Sequence, residues 1–132
     1  MMGLSSRINR GLQVGSRITC DDNSGAKIVQ IISVLGWKAR RGRVPRAGIS
    51  DIVIVAVKKG TPAMKKKVER AVVVRQRKEY QRPGGERIMF EDNAVVLIDD
   101  QGLPKGTEIK GAIAREVAER YPKVAGIAAA VV

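Results

Sequence analysis

Residues 52–57, Ile52-Val53-Ile54-Val55-Ala56-Val57, form an unbroken apolar run rich in β-branched side chains, bounded by Asp51 before it and Lys58-Lys59-Gly60 after it. A run this short with these flanks reads as a strand. Four more of the kind surround it: Ile28 to Leu35, Ala71 to Val74, Ile88 to Phe90 and Ala94 to Ile98. Turn-forming residues separate them, with Asp22-Asn23-Ser24-Gly25 before the run at Ile28, Arg82-Pro83-Gly84-Gly85 before Ile88, and Asp99-Asp100-Gln101-Gly102 after Ile98. An open sheet of five short strands would leave two unpaired edges. The pattern therefore predicts a mainly β fold built on a small closed five-stranded β-barrel.

Toward the C-terminus the period changes. Ile113, Val117 and Tyr121 recur every four residues from Ala112 to Tyr121, and Arg115-Glu119 and Glu116-Arg120 set opposite charges four apart, which predicts an amphipathic helix. Pro122 ends it, and residues 122–132 fit either a second short helix or an extended tail. The tail from Ala125 to Val132 is more apolar than a free end requires, so it should be buried against a partner or against the barrel. With 132 residues the chain makes a single domain: a barrel with its loops over 11–110 and a helical segment over 111–132.

Lysine and arginine number 25 against 13 acids, a formal charge of +12, which points to a polyanionic partner. The charge is uneven. Residues 58–87 hold 11 of those 25 with only Glu69, Glu79 and Glu86 to offset them, whereas residues 88–110 carry Glu91, Asp92, Asp99, Asp100 and Glu108. One RNA-facing surface and a near-neutral remainder are expected. Its first part is Lys38, Arg40, Arg41, Arg43 and Arg46, punctuated by Gly42 and Pro45, an exposed loop where backbone and guanidinium groups can both reach phosphate. The second is the connection 58–70, with Lys58, Lys59, Lys65, Lys66, Lys67 and Arg70. The third is a ribbon over 75–87, where Arg75 and Arg77 should share one face, followed by Lys78, Arg82 and Arg87.

Catalytic readings fail one after another. There is no histidine, so the usual general acid/base and the commonest metal ligand are missing. The single Cys20 suits a small buried hydrophobe in a reducing compartment. Ser24-x-x-Lys27 lacks the companion motifs of penicillin-binding enzymes, and Gly106 to Gly111 is followed by Ala112 where a P-loop needs lysine. The acids at 91–92 and 99–100 read as solvated or capping turn residues rather than metal ligands. No cofactor is expected. No export signal is visible between Met1 and Gly15, and the longest uncharged apolar stretch, Val124 to Val132, falls far short of the roughly 20 residues that span a bilayer.

Four aromatics, Trp37, Tyr80, Phe90 and Tyr121, are too few and too scattered for a stacking platform. Trp37 beside the first basic loop is better explained by packing at the barrel edge than by stacking on a base. Shape and phosphate recognition of folded RNA is the expectation. The rivals are a free RNA-binding translation regulator or factor with an OB-like barrel, and a small nuclease, which would need carboxylates gathered around a metal ion.

Two segments carry a family resemblance. Asp22-Asn23-Ser24-Gly25-Ala26-Lys27 leads into Ile31-Ile32-Ser33-Val34-Leu35-Gly36, and Ala71-Val72-Val73-Val74-Arg75 runs through Gly85 and Phe90 to Asn93-Ala94-Val95-Val96. Together they resemble the universal large-subunit ribosomal protein L-fourteen family over roughly Gly11 to Val132. Val57-Lys58-Lys59-Gly60 and Lys65-Lys66-Lys67-Val68 are similar to its archaeal and eukaryotic branch, and the compact length favours an archaeal source. The resemblance implies a barrel with a projecting β-ribbon and short C-terminal helices. It implies a structural role in the cytoplasmic ribosome, on large-subunit rRNA at the subunit interface. Further implied are a bridge to small-subunit rRNA, contact with ribosomal protein L-three, and docking of anti-association initiation factor six on the helical end, where Arg115, Glu119, Tyr121 and Lys123 are the candidate contacts.

Overall fold

The computed structural model describes residues 6–36 and 42–132. Its elements in chain order are β1 (Leu12–Gln13), β2 (Arg17–Cys20), β3 (Ala26–Val34), β4 (Arg46–Ala47), β5 (Ile52–Gly60), β6 (Val68–Arg75), β7 (Tyr80–Gln81), β8 (Arg87–Ile88), β9 (Ala94–Ile98) and β10 (Ile109–Ile113), then α1 (Arg115–Arg120), α2 (Pro122–Gly126) and β11 (Ala128–Val131). Strands β2, β3, β5, β6 and β9 close into a barrel. Every neighbouring pair is antiparallel except β2 and β9, which run parallel and join Thr19 to Ala94 and Cys20 to Val95.

Side-chain alternation explains what fills the barrel. Val53, Val55 and Val57 of β5 point inward and are fully buried, while Ile52, Ile54 and Ala56 between them are only half-buried. In β3 the inward positions change parity, from Val29 and Ile31 to Val34, because a register irregularity falls between Ile31 and Ser33. Strand β9 is buried at all five positions, and β6 from Ala71 onward. Both of their faces are covered: Ala71, Val73, Val95 and Leu97 belong to the barrel interior, whereas Val72, Val74, Val96 and Ile98 pack outward against a second core. That second core is supplied by Ile109, Ile113, Val117, Tyr121 and Val124 of the C-terminal elements. Runs such as 71–74 and 94–98 are continuously apolar for this reason.

The structure departs from the expectations in three places. The expected fourth barrel strand, Ile88 to Phe90, is reduced to β8, which pairs with β7 outside the barrel. The missing barrel strand is β2, Arg17-Ile18-Thr19-Cys20, whose two inward apolar residues are too few to announce themselves as a run. The helix is also shorter than the stripe that predicts it. Ile113 is buried as expected, yet it ends β10, which pairs in parallel with β11, so the tail is both a short helix and an extended strand that returns along the chain.

Candidate nucleic-acid interface

Among the three expected basic segments, Lys38, Arg40 and Arg41, with Trp37 beside them, lie outside the described residues. The remainder of the first loop is anchored by the β1–β4 pair, which joins Gln13 to Arg46 and buries Leu12 and Ala47. Arg43 and Arg46 stay exposed and line a concavity of about 500 Å³ with Gln13, Gly42 and Val44. Gly42 has a φ of 70°, and among the described residues nothing lies within 4 Å of where its Cβ would be.

The second segment is a hairpin, not a loop. Lys58 and Lys59 belong to the exposed end of β5, Arg70 lies in β6, and only residues 61–67 form the connection. Lys58, Lys59, Lys65, Lys66 and Lys67 are all exposed, and among the described residues none of their ammonium groups is paired with a carboxylate. Arg70 is only partly available because its Nε lies 3.2 Å from Asp100. Lys27, isolated in the sequence and not among the expected contacts, is exposed between Ala26 and Ile28, which pair with Gly60 and Lys59. Strand register places it beside the lysine hairpin, a proximity the linear sequence does not signal.

The β3–β5 register also separates the two segments. Ala26 faces Gly60 at one end of the ladder and Val34 faces Val53 at the other. The lysine hairpin thus leaves one end of the barrel and the loop after β3 leaves the opposite end, about 26 Å away at ~3.3 Å per residue. The described parts of the two segments thus lie toward opposite ends of the β3–β5 ladder.

The third segment requires correction at two arginines. Arg75 is 8% exposed and serves as an internal tie. Its Nη1 donates to Asp21 Oδ2 at 2.8 Å and to the Ala112 carbonyl at 2.7 Å, and its Nε donates to Asp92 Oδ1 at 2.8 Å. Burial pulls the Arg75 pKa down, but hydrogen bonds to Asp92 and Asp21 outweigh it and the net shift is upward. Those bonds hold the Asp92 carboxyl below its usual range. Gly111 is required here, because a Cβ would overlap the Arg75 guanidinium.

Arg82, equally buried, donates to Glu116 Oε1 at 3.0 Å and to the Val132 carbonyl at 2.6 Å, while the Tyr80 hydroxyl donates to Glu116 Oε1 at 2.9 Å. Burial, then the Glu116 charge, push the Tyr80 hydroxyl pKa strongly upward. Both arginines are taken up inside the fold by carboxylates that remote segments supply. Arg77, Lys78 and Arg87 remain exposed; Arg77 Nε donates to the Glu91 carbonyl, and Lys78 and Arg87 flank Glu79. The ribbon itself is only the two-residue β7–β8 pair, turned by Pro83 and Gly84, with φ 93° at Gly84 and a bond from Gly85 N to the Arg82 carbonyl.

On the helical end, Arg115, Glu119 and Lys123 are exposed, but Tyr121 is buried in the second core and drops out as a surface contact. Glu116 turns inward to Arg82.

Three of the four acids of 91–100, all but Glu91, have side-chain partners that account for them. Asp92 binds Arg75, Asp100 lies against Arg70, and Asp99 Oδ1 accepts from the backbone N–H of Gln101 and Leu103. Among the described residues no group of three or more acids or cysteines is placed to hold a metal ion. Burial first, and then Asp22, push the Cys20 thiol up to about 12, so it is not a nucleophile near neutral pH. Tyr80 and Tyr121 are buried and Phe90 is half-buried, which leaves no exposed ring among the described aromatics.

The class these features define is a small basic β-barrel protein with a packed C-terminal cap and, among the described residues, a hairpin of exposed lysines that pair with no carboxylate. Residues 11–132 match the family model described as Ribosomal protein L14p/L23e, and the chain belongs to that family. It is 54% identical to the large ribosomal subunit protein uL14 of Methanocorpusculum labreanum, and 55% identical to the protein of that name from Methanoregula boonei. A further relative of the same name, from Halobacterium salinarum, is 54% identical. Each alignment covers 100% of this chain and of its relative. These relatives are archaeal, in keeping with the branch resemblance in the lysine segment.

Proposed function

We propose that the chain is a structural constituent of the large subunit of the cytoplasmic ribosome and grips folded large-subunit rRNA with its two basic ends. The observation that carries this reading is the hairpin of five exposed lysines with no carboxylate partner among the described residues, on a protein whose family is ribosomal. Exposed cations left unneutralised repel one another; RNA phosphates neutralise them, and the lysines in turn release the counterions condensed on the RNA. The contact set is Arg43, Arg46, Lys58, Lys59, Lys65, Lys66, Lys67, Arg77 and Lys78, with Lys38, Arg40 and Arg41 on the first loop and Lys27 beside the hairpin. Arg75 and Arg82 are excluded by burial, and Arg70 is a weaker contributor. These residues position phosphates and carry out no reaction.

Two basic ends about 26 Å apart suit a protein that touches more than one RNA segment. The finer reading follows from the family: a seat at the subunit interface, a bridge to small-subunit rRNA, contact with ribosomal protein L-three, and Arg115, Glu119 and Lys123 as a surface for anti-association initiation factor six. The deciding experiment is sedimentation of native extract on sucrose gradients at low and high salt. Co-migration with the large subunit at both supports the integral role. Release into the light fractions at modest salt would favour the free RNA-binding regulator instead.

A further inference from the structure

Lys66 has a φ of 67°, in the left-handed region that a side chain with a Cβ rarely adopts. Its position is that of a bulge residue ordinarily filled by glycine. The backbone around it is fully engaged: Lys66 N donates to the Val57 carbonyl at 2.9 Å, Val57 N to the Lys67 carbonyl at 2.9 Å, and Lys65 N to the Thr61 carbonyl at 2.9 Å. The turn is fastened to the barrel at its other side as well. Thr61 N donates to the Gly25 carbonyl at 3.0 Å, and Met64 packs against the barrel core. Gly25 and Gly60 make this fit possible, since a Cβ on Gly25 would lie 2.8 Å from Thr61 Oγ1 and one on Gly60 would lie 2.5 Å from the Gly25 carbonyl.

The result is a tight, hydrogen-bonded turn that displays three consecutive ammonium groups, with Lys66 in the left-handed region where the turn rejoins β5 through Val57. Folding stability alone favours glycine or asparagine at such a φ, and strain of this kind persists where function selects the side chain. We infer that the 61–67 turn is a phosphate clamp formed before RNA arrives, and that Lys66 is its anchoring cation, kept there in spite of its backbone. This rests on the RNA-binding reading and deepens it by naming the residue and the mode: rigid presentation of cations to the RNA backbone, with no ordering of the loop on binding.

Two measurements test it. The first is the salt dependence of full-chain binding to in-vitro-transcribed large-subunit rRNA folded in magnesium, titrated from 50 to 200 mM KCl, for wild type, Lys66→Gly, Lys66→Arg and Lys110→Ala. Lys66→Gly gives the backbone its preferred residue, so the variant folds. It should flatten the slope of log K against log salt by about 0.7–0.9, the share of one neutralised phosphate. Lys66→Arg and Lys110→Ala should leave the slope unchanged. A Lys66→Gly slope equal to wild type overturns the anchoring role, whereas no salt-sensitive binding by wild type overturns the RNA-binding reading itself. The second is amide hydrogen exchange of the free protein. Protection at Lys66 and Val57 is expected, and exchange at the rate of an unstructured chain would overturn the preformed clamp.

Discussion

The Arg82 guanidinium lies 3.0 Å from the Glu116 carboxylate, and side-chain exposures of 8% and 4% leave this ion pair almost out of contact with water. It links the β7–β8 ribbon to helix α1, and through the Val132 carbonyl it also holds the end of the returning strand. Removing one partner strands the other charge. Glu116→Ala is expected to cost about 3–5 kcal/mol, whereas the paired change Arg82→Met with Glu116→Leu should recover most of it. Urea unfolding of the single and the double variant checks this, and a cost under about 1 kcal/mol for the single change would show that the pair is not what holds the cap.

Gly60→Ala places a methyl group 2.5 Å from the Gly25 carbonyl, and both neighbours are backbone that cannot rotate aside. A loss of about 1–3 kcal/mol is expected from this overpacking. Gly42→Ala, with a φ of 70° but nothing near its Cβ, should cost only the backbone strain. Thermal melts of the two variants should therefore separate, with Gly60→Ala the lower.

Reversing charge on the RNA face should act through the salt slope. Lys65→Glu with Lys67→Glu is expected to flatten the slope of log K against log salt by about 0.7–0.9 for each phosphate no longer neutralised, while Glu119→Lys leaves it unchanged or steeper. Filter binding to folded large-subunit rRNA measures it. Glu116 is unsuitable as the acidic control because it is buried against Arg82, so its reversal would unfold the cap rather than report on the surface.

Asp92 sets a pH dependence. Its carboxyl is held below the usual range mainly by hydrogen bonds from Arg75, so its folded pKa is lower than its unfolded one. The stabilisation is present in full above the unfolded value of about 4 and is lost as pH falls through the lower folded value. The Asp92 side chain is 47% exposed, so solvent screening keeps the effect modest. Wild type should melt higher than Asp92→Asn at neutral pH, with the gap closing below about pH 4. A gap that persists into strong acid would trace the difference to packing instead of charge.

Much of the architecture is legible where a residue's environment is local. The runs at Ile28, Ile52, Ala71 and Ala94 are barrel strands, and Ile113, Val117 and Tyr121 are all buried as their spacing implies. What escapes a linear reading is set by distant partners. Arg75 and Arg82 look like their exposed basic neighbours in sequence, and only folding brings Asp21, Asp92 and Glu116 against them. Strand β2 is hidden because a four-residue strand with one buried face offers only Ile18 and Cys20 as a signal. Lys27 is inconspicuous because its basic neighbours come from another strand.

The parallel seam between β2 and β9 has a consequence for how the protein is made. Thr19 and Cys20 find Ala94 and Val95 only after the chain between them has been synthesised. At roughly 5–20 residues per second, the N-terminal strand waits on the order of 4–15 s on a translating ribosome with one edge unsatisfied. Such late closure of a long loop makes folding slow and leaves the nascent chain open to wrong pairings.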